Sequence, residues 1–297
     1  MLSYKGLVIS NAFTIWEEFF HMVKRLQDEF GKYGVTIDHQ RNDQVMAYID
    51  ENGNAKTNLP NYDFIIYFDK DYHIARLLEL AGFRLFNKAE AINLCDSKML
   101  THLALTNHGI KMPKTINYPL RYGQGSDEGF HKRVVEELGL PMVIKHIYGS
   151  LGEQVFLART MDEFNQITSK LTNVPHIYQQ FIASSFGKDL RIVLIDHKIV
   201  ASMQRNAQVE GEFRSNIETG GIGLQVDIPP AFASMAIKVS EILDLDYCGL
   251  DLLYGPSGEP LLMEVNANAY FSPIEKYSKK DVAGAYVSYI VKTIYSR

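Results

Sequence analysis

Residues 247–271, Y-C-G-L-D-L-L-Y-G-P-S-G-E-P-L-L-M-E-V-N-A-N-A-Y-F, constrain this chain more tightly than any other stretch. Two apolar runs, 247–254 and 260–265, flank Gly255-Pro256-Ser257-Gly258, whose proline and glycines favour reversal, so the segment predicts an antiparallel hairpin. Centring it on Ser257 and Gly258 sets Asp251 opposite Glu264. Because side chains alternate along a strand, Glu264 and Asn266 share one face and Val265 takes the other. Two carboxylates and a carboxamide then converge among leucines and Met263. Hard oxygen ligands on an apolar hairpin cost desolvation energy unless a cation compensates, and an Asp/Glu/Asn set suits Mg²⁺ carried with a nucleotide's phosphates. A solvated polar edge is the plainer reading of one carboxylate; three polar groups in register favour the metal.

Upstream, residues 6–10 read as a buried strand, 15–33 as an amphipathic helix stopped by Gly34, and 35–38 as a second strand. A small hairpin around Asn52-Gly53, a strand at 63–68, a helix at 72–81 and a strand at 84–87 follow. Alternating strands and helices predict an α/β domain with a mainly parallel sheet. It carries no Gly-x-Gly-x-x-Gly turn, so a dinucleotide site is unsupported. Asn87 and Asp96 are read as N-caps, the second opening a helix over 96–107. That helix holds Lys98 in its first turn, against the macrodipole, which points to an anionic partner, a solvated surface lysine being the commoner case for any single residue.

Lys145 lies inside the apolar strand M-V-I-K-H-I and is followed by Y-G-S-L-G-E, whose backbone N–H groups can face phosphate oxygens. A lysine just before a Gly-rich loop has the pattern of a triphosphate cover. The rest predicts an antiparallel sheet with strands at 176–182, 189–195 and 198–205, a helix at 229–245 and a closing helix at 282–294. Arg191, Arg205 and Arg214 fall on or beside this sheet, where guanidinium forks suit carboxylate or phosphoryl oxygens, and each equally fits a surface ion pair.

A net charge of -5 supplies no basic stripe for nucleic acid. No apolar run reaches the ~18 residues of a spanning helix, and the first residues do not open a signal peptide, so the expectation is a cytoplasmic protein. Cys95 and Cys248 stand far apart without metal spacing and read as buried small hydrophobes.

Taken together, F-R-S-N at 213–216 with Gly220-Gly221, the spacing from Q-Q-F-I at 179–182 to D-L-R at 189–191, and G-L-D-L-L with L-M-E-V-N-A resemble the ATP-grasp superfamily, within it the RimK-like carboxylate–amine ligases. The similarity covers about two thirds of the chain, from residue 87 onward. It implies α/β and α+β architecture: a Rossmann-like pre-ATP-grasp domain at 1–90, a central subdomain with the Gly-rich loop at 91–175 and a metal-bearing subdomain at 176–297.

The same resemblance implies that Lys98 and Lys145 contact phosphate and that Gly149, Ser150 and Gly152 cover it. Gln180 and Phe181 match the segment that meets adenine, Asp189 the acidic residue near the sugar, and Arg214, Ser215 and Asn216 a further nucleotide contact. Asp251, Glu264 and Asn266 match the Mg²⁺ (or Mn²⁺) ligands; Arg191 and Arg205, with Lys145, take the catalytic role of stabilising an acyl phosphate. The implied partners are ATP, an amino-acid carboxylate donor and an amine acceptor, with room for a homo-oligomer. A dipeptide ligase resembling D-alanine–D-alanine ligase and a non-catalytic Mg·ATP-binding module are the competing readings. Asn266 is followed by A-N-A-Y-F where the family runs Ala-Ser-Pro-Gly, which leaves the amino acid and the acceptor open.

Overall fold

The computed structural model describes residues 4–13, 17–149, 152, 154–217 and 220–296. Its first sheet is built from β1 (Lys5–Ser10), β2 (Thr36–Arg41), β5 (Phe64–Phe68) and β6 (Leu85–Phe86), all parallel in the order β2-β1-β5-β6, with the short hairpin β3 (Ala47–Ile49) and β4 (Ala55–Thr57) beside it. β5 is buried along its whole length, as a near-continuous apolar run in a parallel sheet requires. Helix α1 (Glu17–Gly31) turns Phe19, Met22, Val23, Leu26 and Phe30 inward. Helix α2 (Tyr72–Leu80) starts at Asp71, whose carboxylate accepts the Ile74 N–H.

Two expected caps are displaced by one residue. Helix α3 (Ala89–Asp96) opens on Lys88, and α4 (Lys98–Leu105) opens on Ser97, whose hydroxyl accepts from Leu100 N at 3.3 Å. Ser97 stands in extended backbone between them, so the single helix expected over 96–107 is interrupted there. Asn87 instead ties distant parts of the chain together. Its carboxamide donates to the carbonyls of Tyr247 and Ala267 and accepts from Tyr247 N, at 2.7–2.9 Å, inside the protein. Asp96 is likewise no cap; its carboxylate meets Lys70 Nζ at 2.8 Å.

The second sheet is antiparallel in the order β7-β10-β8-β9, from β7 (Thr115–Asn117), β8 (Met142–His146), β9 (Val155–Ala158) and β10 (His176–Gln180). Helices α5 (Glu128–Leu138) and α6 (Met161–Leu171) cover it, and Tyr118, Val134, Met142, Ile144, Phe164 and Tyr178 form a core of its own. The third sheet, β13-β12-β11-β14-β15, is antiparallel, with β11 (Lys188–Ile195), β12 (Lys198–Asn206), β13 (Ile222–Leu224), β14 (Tyr247–Tyr254) and β15 (Pro260–Asn266). The short strands β7 and β13 have too few residues to show a period-2 pattern and do not stand out in the sequence.

One face of the third sheet buries Leu190, Ile192, Leu250, Leu252 and Leu262 with α7 (Pro230–Ile242) and with residues of the first sheet. The opposite face is divided along its strands. Val193, Ile195, Met203 and Tyr247 pack beneath α8 (Phe271–Ser278) and α9 (Val282–Tyr295), while Asp189, Arg191, Arg205 and Asp251 occupy the same alternation further along. A buried charged patch thereby lies beneath the cleft between the second and third sheets, with Asp189 in the cleft's lining.

Candidate active site

The hairpin register expected from sequence is met at the two carboxylates: Asp251 faces Glu264, and Gly249 faces Asn266. Nearer the turn the pairing is Leu252 with Leu262, so a bulge at Met263 supplies the extra residue. Gly258, at φ +81°, closes the turn.

Asp251 is 1 % exposed, and both its oxygens are engaged. Arg191 donates Nε and Nη2 to it at 2.7 Å each, and Arg205 Nη2 lies 2.9 Å from Oδ2. Arg205 in turn donates Nε to Asp189 at 2.8 Å. The two pairs sit across neighbouring strands, and the Arg205–Asp251 contact joins them diagonally. Burial pushes the Asp251 carboxyl up, but Arg191 and Arg205 together outweigh it and hold it below the usual carboxylate range. Arg205 has no exposed surface and its Nη1 is buried without a partner among the described residues. The residue expected near a nucleotide sugar, Asp189, and the two arginines expected to be catalytic are therefore first of all partners of one another and of Asp251; Asp189 also lines the cleft.

Lys98 and Lys145 come together through main chain: Lys98 N, at the start of α4, donates to the carbonyl of Ile147, just past β8, at 3.1 Å. Both lysines are buried, at 7 % and 6 % exposure. Lys98 Nζ donates to Gly149 O at 2.6 Å and lies 3.4 Å from Glu264 Oε1. Burial, reinforced by the Lys98 charge and opposed by Glu264 and Asp251, pushes the Lys145 ammonium down to about 8. His102, one turn after Lys98, is pushed down to about 4 by burial and by both lysines, which keeps it neutral beneath them.

Arg214 donates Nη1 to Gly152 O at 2.8 Å and chelates Glu212 through Nε and Nη2. Both described glycines of the loop thus have a carbonyl held by a cation, Lys98 at one end and Arg214 at the other. Ser150 lies outside the described residues. Gly221 is obligatory where it stands, because a Cβ there would come within 2.5 Å of Ser215 O and 2.7 Å of Asn216 O.

The cleft has apolar walls that sequence reading missed: Val143 and Val155 from the second sheet face Leu253 and Met263 from the third, with Phe213 and Lys188 beside them. Gln180, Phe181, Ser215 and Asn216 line the same cleft, with Lys98, Lys145, Gly149, Gly152 and Glu264 at its polar end. A slot with apolar sides and two lysine side chains at one end suits an apolar ring with an anionic tail. Leu253 and Met263 look like plain core in the sequence; alternation with Asp251 could mark Leu253, whereas Met263, adjacent to Glu264, lines the same cleft at a bulge that periodicity does not reveal.

Among the described residues no group of three or more His, Cys, Asp or Glu forms a metal cage. The Asp251, Glu264 and Asn266 set fits a divalent ion only in part as expected from sequence. Glu264 lines the cleft, Asn266 lines an adjoining cavity, and Asp251 lies beneath, sharing its oxygens with guanidinium groups. The Asn266 amide nitrogen is buried without a partner among the described residues. Turned over, which exchanges nitrogen and oxygen, the amide would present there an oxygen calling for a positive neighbour. This donor set suits Mg²⁺ shared with phosphate oxygens rather than an all-protein cage.

Comparison with known proteins bears on the family and on the fold. Residues 95–290 match the family model described as the RimK-like ATP-grasp domain. N-acetylaspartylglutamate synthase A of Homo sapiens is 34% identical over 232 residues, 77% of this chain and 58% of that protein. The chain thus spans less than two thirds of that relative's length. The probable alpha-L-glutamate ligase 2 of Hahella chejuensis is 31% identical over 224 residues, 74% of this chain and 71% of the relative. Among solved structures, the ATP-grasp ligase PsnB complexed with minimal precursor, Mg and ADP superposes with a TM-score of 0.69 at 15% identity, covering 97% of this chain and 98% of that one, a likeness of fold.

Proposed function

Because the chain belongs to the RimK-like ATP-grasp family, we propose that it is an ATP-dependent carboxylate–amine ligase that joins an acyl group to the amine of an amino acid, glutamate being the first candidate. The observation that carries this reading is the pair Lys98 and Lys145 facing Glu264 at the polar end of an apolar slot. A carboxylate oxygen attacks the γ-phosphorus of ATP, the bond to the β-phosphate oxygen breaks, and ADP leaves. The amine nitrogen then attacks the acyl carbon, the carbon–oxygen bond to phosphate breaks, and an amide forms. The amine enters as an ammonium and gives up two protons, one to the departing phosphate and one to solvent.

The chain's part is positioning and charge. Lys98 and Lys145 neutralise the phosphates, and Arg191, whose Nη1 makes no hydrogen bond among the described residues, stands above Asp251 for an acyl-phosphate oxygen. Glu264 and Asn266, with Asp251 behind them, would hold Mg²⁺, which when bound spreads the charge of the transferring phosphoryl group. The apolar walls exclude water that would hydrolyse the acyl phosphate.

Glu264→Gln should lower ADP formation by at least roughly 100-fold in the presence of acid, amino acid and Mg·ATP, while the melting temperature stays near that of the parent. Turnover at the native rate would show that the hairpin carboxylate is not at the reacting phosphate. The parent enzyme separates the competing readings: ADP released with one free amino acid alone marks a dipeptide ligase, and nucleotide binding without ADP for every acid tried marks a non-catalytic module.

A further inference from the structure

Two cavities continue from the metal residues toward the first sheet. One is lined by Cys95, Asp96, Asn266, Ala267, Asn268 and Lys70, and the next, of about 240 Å³, by Asn11, Phe68, Asp69, Lys70, Asn268 and Tyr270. Lys70 and Asn268 belong to both, so the cavities share a wall. Across that wall lies the ion pair Lys70 Nζ–Asp96 Oδ1, 2.8 Å long, with side chains 47% and 21% exposed. It bridges the end of the first sheet and the end of α3, within reach of the A-N-A-Y-F run that distinguishes this chain.

The carboxylate of Asp69 is spent on structure: it accepts from the amides of Asn11 and Asn42 and from Lys70 N. Asn11 and Asn268 each donate one amide proton to Asp69, to its carboxylate and its carbonyl respectively, and each carboxamide carries a second. The other charges lining the two cavities are one ammonium and one carboxylate side by side, with amide donors behind them. A free α-amino acid carries the same two charges in reverse, both attached to its Cα. Its α-carboxylate and α-ammonium can enter the pair partner for partner, so neither charge of the pair is left alone.

We propose that the Lys70–Asp96 pair is the seat of the free amino-acid substrate: Lys70 takes its α-carboxylate, Asp96 its α-ammonium, and Asn11 and Asn268 donate to an oxygen-bearing side chain such as that of glutamate. The amine is then held beside Asn266, next to the site where the acyl phosphate forms. This assignment rests on the ligase reading for its place in the reaction, but its binding test does not.

The experiment is calorimetric titration of the full chain, loaded with Mg·AMP-PNP, with L-glutamate, L-glutamine, L-lysine and the decarboxylated amine of glutamate. Glutamate should bind, and the amine without its α-carboxylate should not. Lys70→Met and Asp96→Asn should each weaken glutamate binding at least tenfold while AMP-PNP affinity stays within twofold, and Lys70→Arg should restore most of it. Absence of amino-acid binding to the parent overturns the proposal. So do unchanged glutamate affinity in both variants, and equal losses of glutamate and nucleotide affinity, the mark of a mere strut between domains. Glutamate bound as described with no amide formed from any acid would instead count against the ligase reading alone.

Discussion

At the scale of the residue, the position of Lys145 fixes how nucleotide affinity depends on pH. Burial holds its ammonium at about 8, below the ordinary lysine value of 10.5, so the free protein has lost much of that charge by pH 9. A bound triphosphate favours the charged form and raises the value again, so binding takes up a proton above pH about 8. Affinity for Mg·AMP-PNP should therefore fall roughly tenfold or more between pH 7.5 and 9.5, and Lys145→Met should be weaker throughout and nearly flat. The same depression has the opposite sign in stability. The unfolded chain binds more protons between about 8 and 10.5, so the stability of the parent relative to Lys145→Met should rise with pH across that window. A parent affinity that is level through pH 9.5 would mean that Lys145 does not face the phosphates. Lys145 is legible in the sequence because a lysine inside M-V-I-K-H-I breaks an apolar run. Asp96 reads wrongly as a cap because a carboxylate before a helix serves that purpose more often than it meets a lysine from another part of the chain.

At the scale of the element, the third sheet carries its charges as cross-strand pairs, and the pairs govern its stability. Removing one member leaves its partner buried and uncompensated, whereas removing both need not. Arg205→Met should destabilise the protein by about 3–5 kcal/mol, because Asp189 loses both donors of its fork inside the sheet. The double variant Arg205→Met with Asp189→Leu should recover a large part of that loss, read as the midpoint of urea unfolding. A double variant no more stable than the single one would show that the pair is not the unit. Strand periods and the Gly-Pro-Ser-Gly turn make this sheet's longer strands readable, and centring the hairpin matches Asp251 to Glu264. The sequence cannot show that Arg191 and Arg205 spend themselves on Asp251 and Asp189, because diagonal contacts depend on which strands are neighbours. Nor can it show the bulge at Met263, which slips the remaining pairs by one residue.

At the scale of the whole molecule, the three sheets make two mechanical bodies. The first and third share their apolar cores: Leu7, Ile9 and Ile65 cluster with Leu190, Leu250 and Leu262, while Val8, Phe64 and Ile66 cluster with Val193, Tyr247 and the buried side of α9. Asn87 adds hydrogen bonds between them in the interior. The second sheet keeps a separate and smaller core around Phe164 and Tyr178. The division at 90/91 expected from sequence follows a change in pattern along the chain, but burial unites the units on either side of the middle one. A unit with its own small core opens at lower free energy than the body it is attached to. Native-state hydrogen exchange should therefore show amides of β8 and β10 exchanging through a sub-global opening, with a smaller dependence on denaturant than amides of β1, β5, β11 and β14. On the proposed function, Mg·AMP-PNP would lie between Val143 and Val155 on one side and Leu253 and Met263 on the other and would tie the two bodies together. Saturating nucleotide should raise protection of β8 and β10 most, moving them toward the global opening. If these strands already exchange only by global unfolding in the free protein, the middle sheet is not a separate unit.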